Sequence, residues 1–113
     1  MTGKHIVKAY DDELQHLNNT IIEMAALTGA QLEGAIQALV NRDAELAYRL
    51  IDADDRIDEL NCEVDTQAMR LLALRQPMAL DLRNVVAALK ISADLERVAD
   101  YATNMARRTI PLT

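Results

Sequence analysis

The stretch LAYRLIDADDRIDELNCEVDTQAMRLL, residues 46–72, decides the fold. Its apolar residues recur at intervals of three, four or seven positions, which is the spacing of one face of an α-helix. They are Leu46, Leu50, Ile57, Val64, Ala68 and Leu71. Charged and amide side chains fill the opposite face. The pattern predicts a long helix that buries one side and shows the other to solvent.

The same periodicity continues on both sides of this stretch, and two breaks divide it. The first break is Asn41-Arg42-Asp43, where the Asp43 carboxylate can cap the start of the next helix. The second is Pro77, which suits the first turn of a new helix and pushes Gln76 out of the helical region. The predicted helices cover residues 10–40, 43–75 and 78–109.

Short connections between long helices force neighbours to run antiparallel. Each helix is about 45 Å long at a rise of ~1.5 Å per residue. The fold class is therefore all-α, an antiparallel three-helix bundle that forms a single domain over residues 1–113. Gly29 and Gly34 each weaken helix one by about 1 kcal/mol relative to alanine, which allows a bend near Gly29.

Composition narrows the functional class. Half of the 113 residues are hydrophobic, but there is no Trp or Phe, so aliphatic side chains must build the core. The net charge of −6 and the absence of a basic stretch argue against nucleic acid and anionic lipid as partners. No apolar run approaches the roughly 20 residues of a membrane span. We expect a cytoplasmic protein without membrane insertion.

Four acidic residues occupy positions where apolar residues belong. Asp54 and Asp58 fall within the apolar arc of helix two, and Glu96 and Asp100 lie off the narrow polar stripe of helix three. In an antiparallel hairpin, residues equally far from the turn lie side by side. Folding around Pro77 places Asp54 level with Asp100, and Asp58 level with Glu96. The sequence predicts that these four carboxylates share one layer.

Four carboxylates on an inner face need compensation, because burying an unpaired charge costs several kcal/mol, roughly. Basic side chains, raised pKa values or a bound cation can supply it. Arg56 and Arg97 are expected to point towards the polar faces, and helix one offers no cation at this level. We therefore predict a metal site at these four residues, with oxygen ligands that suit calcium or magnesium. The alternative is a solvated acidic face.

Three segments together resemble the PhoU family of phosphate-uptake regulators. They are DDRIDEL at residues 54–60, QP at residues 76–77 leading to DLR at residues 81–83, and DLERVAD at residues 94–100. Their order and spacing fit the family from about Lys4 to Thr109. The combination is specific, although each short segment alone is a weak signal.

The resemblance implies a three-helix repeat that binds iron or zinc clusters through paired Glu/Asp-x-x-x-Asp motifs. Those motifs map onto Asp54 with Asp58 and onto Glu96 with Asp100. It also implies a cytoplasmic negative regulator of phosphate uptake and of the phosphate-starvation response. Such proteins act through the ATPase subunit of the phosphate ABC transporter and through a sensor histidine kinase.

Two departures from the family pattern bear on these expectations. The usual Arg-Ile-Gly-Asp-His reads Arg97-Val98-Ala99-Asp100-Tyr101 here, without the glycine and the histidine. Family members usually carry two repeats, so this chain is either a piece of a longer protein or is completed by a partner chain. Because the polar stripe of helix three is narrow, we expect a second repeat to cover its apolar surface, most simply in a homodimer.

Two other functional classes remain open. A ferritin-like di-metal carboxylate enzyme needs two Glu-x-x-His motifs, and Glu13-Leu14-Gln15-His16 supplies one, well away from the acidic layer. A metal-free helical interaction module predicts that all four acids are exposed or paired with arginine. No glycine-rich loop or nucleophile–base set indicates catalysis, so we do not expect an enzyme.

Overall fold

The computed structural model describes the backbone of residues 2–74 and 79–113, and the side chains of residues 8–73 and 82–113. It contains helix α1 (Thr2–Asn41), helix α2 (Ala44–Leu74), helix α3 (Ala79–Thr109) and a short 3-10 helix (Ile110–Leu112). Each long helix packs against the other two, in a rod of 63 × 20 × 16 Å. The described residues include no strand, which confirms the predicted all-α three-helix bundle.

The observed bounds follow the two predicted breaks. Helices α2 and α3 fall inside the predicted ranges 43–75 and 78–109, whereas α1 begins at Thr2 and not near residue 10. Residues 4–9 contain no proline or glycine, so no helix-breaking residue prevents the helix from beginning before Tyr10. The predicted turn at Gln76 and Pro77 lies outside the described residues.

The connection between α1 and α2 is closed by backbone and side-chain hydrogen bonds. Arg42 takes a left-handed conformation with φ of 51°, and the Asp43 amide donates to the Ala38 carbonyl at 2.9 Å. The Asp43 carboxylate then accepts from the Leu46 amide at 3.0 Å, which confirms Asp43 as the cap of α2. This tight connection makes α1 and α2 antiparallel neighbours.

Three clusters of buried side chains follow one another along the rod. The first contains Tyr10, Leu17, Val64, Ala68, Leu71, Val85 and Ala88. The second contains Met24, Ile57, Leu60 and Ala99. The third contains Ala38, Ala47 and Ala106, whose small side chains allow close helix approach. The second cluster positions the acidic residues, because Ile57 directly precedes Asp58 on α2 and Ala99 directly precedes Asp100 on α3.

Candidate metal centre

Buried apolar residues set the direction of the acidic side chains. Ile57 is fully buried on α2, and Asp54 and Asp58 flank it in sequence. On α3 the buried Ala99 precedes Asp100. The structure brings Asp54, Asp58 and Asp100 together, with one carboxylate oxygen from each within 4.8 Å of the others. These three aspartates thus lie at the same height along α2 and α3, as expected for an antiparallel hairpin.

Asp54 is the most constrained of the group. It is half-buried, and its Oδ1 atom is inaccessible and has no hydrogen-bond partner among the described residues. Burial raises the pKa of this carboxyl group, and the charge of Asp58 raises it further. The polar side chain of Thr103 and the charge of Arg107 act in the opposite direction and lower the pKa. The net effect leaves Asp54 harder to ionise than an exposed aspartate.

Asp58 and Glu96 experience the same crowding. Burial raises the pKa of both carboxyl groups, with the Asp100 charge the next cause for Asp58 and the Asp58 charge the next for Glu96. Glu96 is not one of the three residues whose oxygens converge within 4.8 Å. The Asn61 amide, which lines the same groove, acts in the opposite direction and lowers the pKa of Glu96.

The two arginines considered in the sequence behave differently. Arg56 points away from the cluster, as predicted, and forms ion pairs with Glu23 at 3.1 Å, Glu59 at 3.2 Å and Glu63 at 3.7 Å. Arg97 lines the same α2–α3 groove as Asp100, and it makes no ion pair within the described part of the chain. Among the described residues, no arginine forms an ion pair with any of the three aspartates.

Four polar residues near the acidic cluster were not identified from the sequence. Thr103 and Arg107 follow Asp100 on the same face of α3, at spacings of three and seven residues, which was the available signal. Periodicity could not identify Asn61 and Ser92, because what links them is a hydrogen bond of 2.6 Å from the Ser92 hydroxyl to Asn61 Oδ1.

The geometry bears on the two competing classes. His16 is exposed and lines a groove with Cys62 and Gln67, apart from the acidic cluster. Among the described residues, the three aspartates are the one group with the geometry to hold a metal ion. A metal-free module predicts that all four acids are exposed or paired with arginine, whereas Asp54 is half-buried and forms no ion pair with any described arginine. In the described part of the chain, no helix is long and apolar enough to cross a membrane.

Comparison with known proteins identifies the family. The family model described as the PhoU domain matches residues 21–109. Relatives called phosphate-specific transport system accessory protein PhoU homolog share 46% identity over 110 residues in Caulobacter vibrioides and 49% over 108 residues in Xylella fastidiosa. These alignments cover 97% and 96% of this chain, but 48% and 45% of the relatives.

A solved structure agrees with the sequence comparison. The crystal structure of PhoU from Pseudomonas aeruginosa superimposes with a TM-score of 0.89 and 36% identity, over 91% of this chain and 49% of that one. The chain spans about half the length of the relatives it matches. From the family match, the relatives and the shared fold, we conclude that this chain belongs to the PhoU family.

Proposed function

We propose that this chain is a PhoU repeat that takes part in negative regulation of phosphate uptake and of the phosphate-starvation response. The observation that carries the proposal is that nearly all of this chain aligns with about half of relatives named as accessory proteins of the phosphate-specific transport system. The long, continuous helix faces suit protein contacts. The proposed partners are the cytoplasmic ATPase subunit of the phosphate ABC transporter and the sensor histidine kinase, which places the protein in the cytoplasm.

A genetic experiment tests the regulatory role. Deleting the gene that encodes this chain should derepress phosphate-starvation genes in phosphate-rich medium, and restoring the gene should silence them. Affinity purification from the same strain should recover the transporter ATPase or the sensor kinase. Unchanged phosphate regulation in the deletion strain would remove the assignment, while leaving the fold intact.

The second part of the proposal is a metal site. Asp54, Asp58 and Asp100 supply the first ligands, Glu96 is the fourth, and the ion is iron or zinc, as the family resemblance implies. The residues fit such an ion, since a buried carboxylate oxygen of Asp54 lacks a partner within the described chain. Two oxygens bound to one zinc ion at about 2.1 Å lie at most about 4 Å apart. The observed limit of 4.8 Å needs only small side-chain adjustments.

The bound ion would supply positive charge to a layer in which three carboxyl groups have raised pKa values. Its proposed role is to hold α2 and α3 together and to present a fixed surface, and not to catalyse a reaction. Equilibrium dialysis against Zn²⁺ followed by elemental analysis should find bound zinc in the wild-type chain. Zinc content equal to that of Asp100→Asn would contradict this part.

The proposal also includes a homodimer. Large apolar side chains of α3 remain exposed along one side, including Ile91, Val98 and Tyr101. On α1, Leu39 is also exposed and lines a groove with Tyr101. Exposed large apolar side chains that lie close together are typical of a protein interface. In a chain with one repeat, a second copy is the simplest cover.

A further inference from the structure

The buried apolar side chains of α3 are smaller than those of the other two helices. Among the described side chains of α3, the buried apolar residues are Val85, Ala88, Ala99, Ala102 and Ala106, and Leu89 and Leu95 are partly buried. The buried apolar residues of α1 and α2 include Leu17, Met24, Ile57, Leu60, Val64 and Leu71. Burial stabilises a side chain in proportion to the apolar area that it removes from water. Packing in this core therefore holds α3 less strongly than α1 and α2.

Larger apolar side chains of α3 lie on its outer side. They are 37% to 64% exposed, and they are Leu82, Val86, Ile91, Val98 and Tyr101. Because these side chains already contact water, separating α3 from the other helices exposes less new apolar surface than their size suggests. The inner side of α3 also meets α2 where the carboxylates of Asp54, Asp58 and Asp100 lie within 4.8 Å of one another, and like charges repel.

α1 and α2 are joined by buried hydrogen bonds that do not involve α3. The Thr20 hydroxyl on α1 donates to Gln67 Oε1 on α2 at 3.0 Å, and both side chains are buried. The Gln31 amide on α1 is also buried and donates to the Leu50 carbonyl on α2 at 2.7 Å. Buried groups that lose their hydrogen-bond partners destabilise a protein. These bonds therefore oppose separation of α1 from α2, and they stay intact when α3 leaves.

We propose that α3 opens as a unit while α1 and α2 remain paired, so that the fold contains a detachable third helix. Opening separates Asp100 from Asp54 and Asp58, which takes the acidic cluster apart, and it uncovers the second core cluster. A ligand shifts such an equilibrium only when it binds one form more tightly than the other. A cation held by residues of both α2 and α3 favours the closed form, a consequence that rests on the proposed metal site.

Hydrogen exchange of the backbone amides, resolved by nuclear magnetic resonance, tests the proposal in the metal-free chain. Amides in the middle of α3 should exchange about tenfold or more faster than those in the middle of α1 and α2, because opening α3 requires less free energy than global unfolding. Ile91→Glu is measured beside the wild type, so that a second copy on the outer side of α3 cannot hide the opening. Equal exchange in all three helices of both chains, or slower exchange in α3, would overturn the proposal.

Substitutions at the buried hydrogen bonds separate opening of α3 from unfolding of the whole chain. Thr20→Val and Gln31→Met each remove a bond between α1 and α2 that is present in both the closed and the open form. Each should accelerate exchange in α1 and α2 by roughly tenfold, the effect of losing one buried hydrogen bond, and leave α3 unchanged. The same acceleration in all three helices would show that they open together.

Ser92→Ala is the matched control on α3. The buried Ser92 hydroxyl donates to Asn61 Oδ1 on α2 at 2.6 Å, and this bond breaks when α3 opens. Its loss destabilises the closed form relative to both the open and the unfolded form, so exchange should accelerate by a similar factor in all three helices. Acceleration confined to α1 and α2 would contradict the proposal, because α3 would then open without breaking its contact with α2.

Zn²⁺ provides a separate test of the link between opening and the acidic cluster. An ion that binds only the closed form should slow the exchange of α3 amides by about 100-fold at a free concentration 100 times its dissociation constant. Bound zinc with unchanged exchange in α3 would contradict this link. If the chain binds no zinc, the metal site fails, whereas the exchange of the metal-free variants still decides whether α3 opens separately.

Discussion

Asp54 is a half-buried carboxylate that lowers the stability of the fold and is also a ligand of the proposed metal site. An apolar side chain at this half-buried position would add to the core, but a carboxylate there loses hydration without gaining a hydrogen bond at Oδ1 from any described residue. Burial, and then the charge of Asp58, raise its pKa. Such a residue costs stability in the metal-free protein, and the proposed metal site uses it as an anionic ligand.

Substitution of Asp54 should reveal that cost. Because its folded-state pKa is raised, the native chain binds more protons than the unfolded chain, and the free energy of unfolding falls as pH rises from the ordinary value of 3.8 through the raised pKa. Asp54→Asn should therefore stabilise the metal-free protein at pH 7 and weaken this pH dependence. Urea unfolding measured from just below the ordinary pKa of 3.8 up to about pH 7 covers this range and measures both effects.

Asp52→Asn is the matched control, because this aspartate is exposed on the same helix. It should leave the slope of stability against pH as in the wild type. If Asp54→Asn is less stable than the wild type at pH 7 without metal, the carboxylate is not a source of strain.

Helix periodicity could predict which acids face α3, but not the partners each one finds. Asp54, Asp58 and Asp100 converge because their angular positions follow from sequence spacing. Asn61 lines the groove beside Glu96, and the orientation of its amide depends on the hydrogen bond that the buried Ser92 hydroxyl donates to it. Such contacts have no period in the sequence, so the position of Glu96 outside the group could not be read from it.

At the scale of the helix, α1 and α2 pack closely at Gly34. A Cβ atom at this position would come within 2.7 Å of Leu50 Cδ2, whereas one at Gly29 would meet nothing within 4 Å. Helix α1 continues through both glycines and is helical throughout Thr2–Asn41. The two glycines thus carry the same intrinsic penalty in one helix but differ in their packing.

A pair of alanine substitutions separates propensity from packing. Gly29→Ala should raise the free energy of unfolding by up to about 1 kcal/mol, since alanine favours the helix and the space is open. Gly34→Ala should gain less than Gly29→Ala, because Leu50 must move to admit the new methyl group. Thermal or urea unfolding of both variants provides the comparison. An equal gain at the two positions would show that the Leu50 contact costs nothing.

Helix ends divide into those the sequence could predict and one that it could not. Asp43 marks the start of α2 by a specific hydrogen bond to the Leu46 amide, so the break was visible. The start of α1 lacks such a signal. Its apolar residues before Tyr10 are few and helix breakers are absent after Gly3, so pattern alone left the boundary too late.

At the scale of the whole molecule, large apolar side chains of α1 and α3 remain exposed to water, which is energetically unfavourable. They form the surface on which the proposed second repeat packs. We expect the chain to be a dimer in solution, and Ile91→Glu on α3 should shift it towards the monomer by burying a charge in the interface. Size-exclusion chromatography with light scattering measures the mass of each species.

Met69→Glu provides the control for the added charge. Met69 is 66% exposed on α2, away from the α1–α3 surface, so this variant should remain dimeric. A monodisperse monomer of the wild-type chain at high concentration would contradict the homodimer. The same shift in both variants would indicate a general charge effect and not a specific interface.

The metal-dependent stability of the purified chain tests the central claim most directly. A ligand that binds only the folded state raises stability with its free concentration, by about 2.7 kcal/mol at 100 times the dissociation constant. We predict that the thermal unfolding temperature of the wild-type chain rises progressively with Zn²⁺, and that Asp100→Asn combined with Glu96→Gln abolishes the rise. No Zn²⁺-dependent stabilisation in the wild type, or the same stabilisation in the double variant, would contradict a metal site at the acidic cluster.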